Sequence, residues 1–306
     1  MSDPFDRSFR AEPGRADEVE PGILRVVAPN PGPMTFTGTN SYVVGAADVV
    51  VIDPGPALTA HEGALLAAIA GRPVRRILVT HSHVDHSPLA ARLAARTGAP
   101  VAAFGPAHAG RSDVMERLSQ GADLGGAEGI DASFEPDEAL KHEALIDTDL
   151  GPLTALHTPG HLANHMCFAL SDRGAVFSGD HVMGWATTVV SPPDGDLTQF
   201  MASLDLMAAR NDRVYFPGHG GRVDAPAAMV AHQIAHRRER ETQILATLDA
   251  APGNAAALAQ VIYTDVDPRL LPAAARNVLA HLIDLSTRGL VVAHGPIGAA
   301  TVFSKP

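Results

Sequence analysis

Several things are scarce in this chain, and each shortage narrows what it can be. A single cysteine, Cys167, stands among 306 residues. No internal disulfide can form, and no Cys-rich zinc site can be built. The setting of Cys167, His-Met-Cys-Phe-Ala-Leu, reads as a strand, which makes it a buried thiol. No apolar run is long enough to span a bilayer. Residues 1–10 (MSDPFDRSFR) lack the apolar centre of a signal peptide, and Glu12, Asp17, Glu18 and Glu20 do not suit an organelle transit peptide. The expected location is cytoplasmic. Positive charge is also short: the net charge is −11, which argues against a general grip on nucleic-acid phosphates and leaves only a local basic groove open.

What is present describes a globular protein. Hydrophobic residues make up 46% and charged residues 19%, ample for a core. The length suits one large domain with a smaller appendage. Residues 1–21 mix charge, Pro and Gly and read as a loose arm. Strands are expected over 23–28, 39–44, 49–52, 77–80 and 101–104, with helices over 61–70 and 88–96 between them. Such alternation indicates an α/β layered domain. From 111 to 138 the pattern weakens, interrupted by Gly121, Gly125, Gly126 and Gly129, and reads as a short helix followed by a long lid-like loop. Strands return at 153–157, 166–170, 175–178 and 214–216, with a helix over 200–209. After residue 221 the character changes to helices over 226–250, 255–263 and 270–287 and a hairpin within 291–303, the outline of a winged-helix-like module. The division expected is therefore 1–221 and 222–306.

The densest chemistry is His81-Ser82-His83-Val84-Asp85-His86, directly after a buried strand and opening a helix. Imidazole and carboxylate are the ligands zinc accepts where no thiolate is available. In an extended loop, residues two apart point the same way, so His81 and His83 can address one metal while Asp85 and His86 turn toward a neighbouring one. Three further candidates follow strands that run out into small glycine-containing turns: His161 after Thr158-Pro159-Gly160, Asp180 after Ser178-Gly179, and His219 after Pro217-Gly218. Any one alone is weak; together with the upstream cluster they point to a two-metal site.

The order His-x-His-x-Asp-His, then His, Asp and His, resembles the metallo-β-lactamase superfamily over roughly residues 22–221. The resemblance implies a four-layer αββα sandwich with the site at one edge. It places His81, His83 and His161 on one metal, Asp85, His86 and His219 on a second, and Asp180 between them. Asp53 matches the family's early Asp, which orients the ligand loop. Residues 30–34 and 38–42, the segment 184–190 and the helix around His236-Arg237 are similar to the lactamase-beta-like branch that includes single-strand endoribonucleases of mitochondria, with glyoxalase II a nearby relative.

The implied chemistry is hydrolysis with two zinc ions per chain and an attacking hydroxide held between them, with Asp85 holding both a metal and the hydroxide. Iron and manganese accept similar ligands. His165 is a candidate for protonating the leaving group. Thr39, Asn40, Thr187 and Thr188 are candidates for lining the substrate cleft, and Arg237 for holding an anionic group there. Arg238 and Arg240 read as a solvated helix face paired with Glu239 and Glu241, and the pair His232/His236 lacks a third ligand. The branch points to single-stranded RNA phosphodiesters, whereas the charge favours a small ester, thioester or lactone. A nucleic-acid-binding regulator built on an inactive hydrolase fold is the third reading. Against it, Arg269, Arg276, Arg288 and Lys305 of the tail are nearly balanced by Asp265, Asp267 and Asp284. The tail is expected to pack over the site edge and to shape a homodimer.

Overall fold

The computed structural model describes residues 4–121, 124, 129–264 and 267–306. Gly125 and Gly126 of the expected lid loop, and Asp265 of the tail, lie outside the described residues. The first sheet contains β1 (Ala16–Glu20), β2 (Ile23–Val27), β3 (Asn40–Val44), β4 (Val49–Ile52), β5 (Val74–Leu78), β6 (Val101–Ala103) and β7 (Glu138–Ala139), in that spatial order. Its first half is antiparallel; from β4 to β7 neighbouring strands run parallel. The second sheet holds β8 (Leu145–Ile146), β9 (Leu153–His157), β10 (Met166–Leu170), β11 (Ala175–Gly179) and β12 (Val214–Pro217), ordered β12-β11-β10-β9-β8.

Strict alternation of side chains decides which residues bind the two sheets together. On β3, Tyr42 and Val44 point between the sheets; on β10, Met166, Phe168 and Leu170 do the same, and all are buried in one cluster. The intervening Val43 faces outward, with Leu65 and Ile69 of helix α1 (Thr59–Ile69) and Leu93 of α2 (Ala90–Thr97) packed on that face. Helix α3 (Asp113–Gly121) follows β6. On the far side, Cys167 and Ala169 meet Phe200 and Leu204 of α4 (Leu197–Ala208) and Met229 and Val230 of α5 (Pro226–Ala250). The layers are therefore helix, sheet, sheet, helix, as expected. Cys167 is fully buried, and burial pushes its thiol up to about 12, so it is a packing residue.

A separate core joins the second half of α5, through Ile244 and Leu248, to α6 (Ala255–Ile262) and α7 (Leu271–Thr287) and to the hairpin of β13 (Val292–Ala293) and β14 (Phe303–Ser304). One long helix thus serves both sides of the division expected at residue 221: its first half completes the sandwich and its second half nucleates the tail. No helix of the described residues is long and apolar enough to cross a membrane.

One expectation fails. Residues 4–21 are not a loose arm. Ala16–Glu20 form the edge strand of the first sheet, Phe5 packs against the outer core, the Asp6 N–H donates to the Gly184 carbonyl at 2.8 Å, and the Arg25 guanidinium lies 4.5 Å from the Phe9 ring centroid. Charge and Pro/Gly content hid a strand whose partner lies just beyond a tight turn. At the described end of the expected lid loop, the Val84 N–H donates to the Gly129 carbonyl and the Asp131 N–H to the Ser82 carbonyl, which ties 129–131 to the loop after β5.

Candidate metal centre

Loops at one edge of the sandwich converge on a single cluster. His81, His83, Asp85 and His86 follow β5; His161 follows β9; Asp180 follows β11; His219 follows β12. Within it, His81, His83 and His161 each bring one ligand atom within 4.8 Å of the others, as do His81, His86 and Asp180, and Asp85, His86 and His219. Asp180 lies between: Oδ1 is 3.5 Å from His86 Nε2, while Oδ2 is 3.3 Å from His219 Nε2 and 3.7 Å from His161 Nε2. Asp85 Oδ2 sits 3.2 Å from His219 Nε2 and 3.3 Å from His86 Nε2. β11 and β12 are parallel neighbours, so the turns carrying Asp180 and His219 emerge side by side.

Four of the imidazoles are held by an acceptor outside the cluster. Asp53 ends β4 in a left-handed conformation (φ 51°), which Asp tolerates better than most residues. Its carboxylate accepts from the Thr80 N–H and Oγ1–H and, at 2.9 Å, from His86 Nδ1. With its proton given to Asp53, the Thr80 hydroxyl can only accept from His81 Nδ1, at 2.9 Å. His161 Nδ1 donates to the Val189 carbonyl at 2.7 Å, and His219 Nδ1 to the Gly38 carbonyl at 3.3 Å. All four Nδ1 atoms face outward as donors, so all four Nε2 atoms face inward. His83 Nδ1 stands 2.8 Å from His81 Nε2 and 3.1 Å from His161 Nε2. One ring proton at most can serve those two contacts, and the buried Oδ1 of Asp180 has no hydrogen-bond partner among the described residues. Converging lone pairs with too few protons are what a cation resolves, so the donor set fits divalent metal.

The two halves of the cluster carry opposite electrostatics. Burial drives His83 down to about 3 and His81 well below the ordinary imidazole range, with neighbouring imidazoles adding to the effect. Burial also opposes charge on His219, but Asp180 and Asp85 overcome it and lift the ring to about 9; Asp85, Asp180 and Asp53 lift His86 in the same way. His86 and His219 approach within 3.3 Å at Nε2 and both face Asp85 Oδ2, so this pair keeps at least one proton at its inward edge. At pH 7 the His81/His83/His161 group is neutral, and a metal entering it displaces no proton. A metal entering the Asp85/His86/His219 group must displace at least one. Affinity at that second position is therefore expected to rise at least about tenfold per pH unit between pH 6 and 8 and to stay nearly flat at the first. Chelator-competition titrations across that range check this; equal slopes at both positions would contradict it.

Comparison with known proteins agrees with this geometry. Residues 34–219 match the metallo-beta-lactamase superfamily. The chain belongs to that superfamily. Residues 255–298 match the beta-lactamase associated winged helix domain. A beta-lactamase-like protein 2 homolog of Drosophila melanogaster is 31% identical over 280 residues, covering 87% of this chain and 88% of the relative. An atrochrysone carboxyl ACP thioesterase of Aspergillus fumigatus is 32% identical over 239 residues, covering 76% of this chain and 66% of that relative. A metallo-beta-lactamase family protein from Thermus thermophilus superimposes with a TM-score of 0.74 at 25% identity, covering 94% of this chain and 100% of that one. A beta-lactamase domain protein from Burkholderia ambifaria shares the fold at a TM-score of 0.78 and 20% identity, over 97% and 95% of the two chains. The protein is a hydrolase of the metallo-β-lactamase fold with a C-terminal winged-helix domain.

Within this metallo-β-lactamase site, several residues stand elsewhere than expected. His165 does not face the cleft. It is fully buried, donates from Nδ1 to Thr158 Oγ1 at 2.9 Å, and accepts at Nε2 from the Asp180 N–H at 3.2 Å. Burial and the nearby His181 and His161 keep it neutral, so it supports the Asp180 turn instead of protonating a leaving group. Thr39 and Asn40 are also fully buried. Thr39 Oγ1 donates to Asp85 Oδ2 at 3.0 Å, and Asn40 Nδ2 donates to the carbonyls of Pro217 and Gly220, tying down the turn that carries His219. Thr188 is buried and donates to the Asp180 and His181 carbonyls; Thr187 is half-buried and does not line the large cleft. Arg237 is buried beneath the site, its guanidinium 5.1 Å from the Phe200 ring centroid, and offers nothing to a ligand in the cleft.

Acceptors missed at the sequence level, the Val189 and Gly38 carbonyls, carry no signal in side-chain identity. Thr80 was findable, as a hydroxyl between a strand end and the first ligand. A cleft of about 1000 Å³ opens on His83 and His161, walled by Met34, Ile130 and Val189 of the sandwich and by Leu270, Ala273 and Arg276 of the tail.

Proposed function

We propose that this chain is a two-metal hydrolase of small carboxylic thioesters or esters with an apolar acyl portion. The observation that carries the reading is the cleft itself: a largely apolar volume of about 1000 Å³ that ends at His83 and His161. His81, His83 and His161 would hold one ion, Asp85, His86 and His219 the other, with Asp180 between them. Bound there, two divalent ions would polarise the acyl oxygen and lower the pKa of water to about 7.

The remaining work falls to the chain. Asp53, Thr80, Gly38 and Val189 fix the ring orientations described above. Thr39, His86 and His219 all engage Oδ2 of Asp85, so Oδ1 is the oxygen left to orient an attacking water. The imidazoles lining the cleft, His83 and His161, are both held neutral, first by burial, so neither supplies a proton at pH 7. A thiol, with a pKa of about 8.5, leaves as its anion and needs no acid, whereas an alkoxide does; this favours a thioester over an ester. The cleft's mainly apolar walls, in which Arg269 and Arg276 are matched by Asp194 and Asp267, and the net charge of −11 favour an acyl group over an RNA backbone.

Elemental analysis of the purified protein, followed by assays on aliphatic and aryl thioesters, lactones and single-stranded RNA, tests this reading. Close to two divalent ions per chain is expected, zinc by ligand type, with thioester turnover that stops on chelation and returns with metal. One ion or none, or RNA cleavage without thioester turnover, would overturn it.

A further inference from the structure

Successive residues beside the site are held by the tail. The Thr188 carbonyl accepts from Arg237 Nη2 on α5. The Val190 N–H donates to Asn277 Oδ1 on α7 at 3.0 Å, and the same Oδ1 accepts from Arg237 Nη1 at 3.2 Å. Further along the segment, Arg276 Nε donates to Ser191 Oγ at 2.8 Å, and its Nη2 to the Pro192 carbonyl. Beside the two clamped groups lies the Val189 carbonyl, which accepts from His161 Nδ1 at 2.7 Å.

Arg237 has no carboxylate partner among the described residues and is 3% exposed. A guanidinium is costly to bury without an opposite charge. What it has instead is the negative end of one peptide dipole, the Asn277 amide oxygen and the Phe200 ring face. That arrangement fixes the 188–190 backbone more tightly than packing alone would, because the planar fork makes both bonds from one rigid group.

We propose that Arg237 and Asn277 are positioning residues for His161: they lock the Thr188–Val190 segment so that the Val189 carbonyl holds the His161 Nδ1–H and keeps Nε2 aimed into the cluster. The chain of contacts runs from the helical tail, through the 188–190 backbone, to one imidazole. In this arrangement the tail completes the metal centre from behind as well as walling the cleft. The inference rests on His161 being a ligand, as proposed above. It goes beyond that reading in assigning the orientation of one ligand to a pair of residues on different helices.

The test is metal affinity in the full-length protein, measured by competition with a chromophoric chelator for Zn(II) and by the absorption spectrum of the Co(II) form. Asn277→Leu removes the shared acceptor, Asn277→Asp keeps it beside Arg237, and Arg237→Met removes the donor. The His81/His83/His161 position is expected to lose about 10- to 100-fold in affinity in Asn277→Leu and Arg237→Met, with a changed Co(II) spectrum. Asn277→Asp is expected to stay within a few-fold of wild type. Far-UV circular dichroism and melting of the metal-free proteins separate this from misfolding. If Arg237→Met does not fold, the Asn277 pair decides. Wild-type affinity in a folded Asn277→Leu protein overturns the proposal, as does an Asn277→Leu protein that fails to fold, since the clasp would then serve the fold and not the ligand. A wild-type protein without two bound ions would instead defeat the two-metal reading, and is distinguishable because it needs no variant.

Discussion

Asp85→Asn is expected to lower kcat/KM on a thioester by about 10³-fold, equivalent to ~4 kcal/mol of barrier, and to leave one ion per chain in place of two. The carboxylate faces both His86 and His219, with Oδ2 within 3.3 Å of each Nε2. Asn keeps the shape and can still accept from Thr39. It removes the charge that offsets a cation, so the loss is electrostatic and not steric. Kinetics and elemental analysis on the same preparation check both halves of the expectation. Undiminished turnover with two ions bound would remove Asp85 from the site altogether. Gel-shift binding of nucleic acid that survives in this variant, alongside a wild type without turnover, would favour the regulator reading.

Gly218→Ala is expected to be nearly as damaging although it alters no ligand. A Cβ built on Gly218 would stand 2.3 Å from Asp180 Oδ1 and 2.7 Å from His86 Cε1. Its backbone is not in the left-handed region, so alanine meets no conformational strain there; the obstacle is the ligand pair. Nor can the turn retreat, because the Gly218 N–H donates to the Gly179 carbonyl at 2.8 Å and its own carbonyl accepts from the Asn40 N–H at 2.7 Å. Asp180 or His86 must move. Overpacking of this kind costs about 1–3 kcal/mol, and misplacing a ligand by a fraction of its bond length adds to it. We expect about 100-fold weaker binding of the second ion and a comparable fall in kcat/KM, with a melting temperature of the metal-free protein lowered by only a few degrees. Gly63→Ala, on α1 with nothing within 4 Å of its added methyl, serves as the control and should match wild type or exceed it in stability. Equal metal affinity in the two variants would show that the 218 turn yields more freely than its hydrogen bonds imply.

The convergence of the candidate ligands was readable because each is a chemically distinctive side chain placed where a strand ends in a small turn, and strand ends are set by local hydrophobic patterning. The four layers were readable for the same reason: β10 alternates Met166, Phe168 and Leu170 inward with Cys167 and Ala169 outward. What sequence could not reveal were contacts between segments far apart in the chain. Thr39 bridges to His219, which places it under the ligands and away from the cleft. Arg237 lies on a helix whose two halves pack against different cores, so no single periodicity told which way it faces. His165 looked like a cleft residue because it precedes β10, yet the Gly179–Asp180 turn closes over it. Thr39 and His165 hydrogen-bond to Asp85 and Asp180 of the cluster, Arg237 bonds to the backbone beside Val189, and none of the three lines the cleft.

The candidate ligands follow β5, β9, β11 and β12, so the cluster spans both sheets and stretches along the chain from His81 to His219. An ion bound there is a cross-link. It closes long loops that packing must otherwise hold shut against their entropy, and it does so where lone pairs and carboxylates would crowd one another without it. Since unfolded chain offers no such arrangement, free metal at about 1,000 times its dissociation constant adds about 4 kcal/mol to the resistance against unfolding. Metal supply would then govern how long this protein survives proteolysis as well as how fast it turns over.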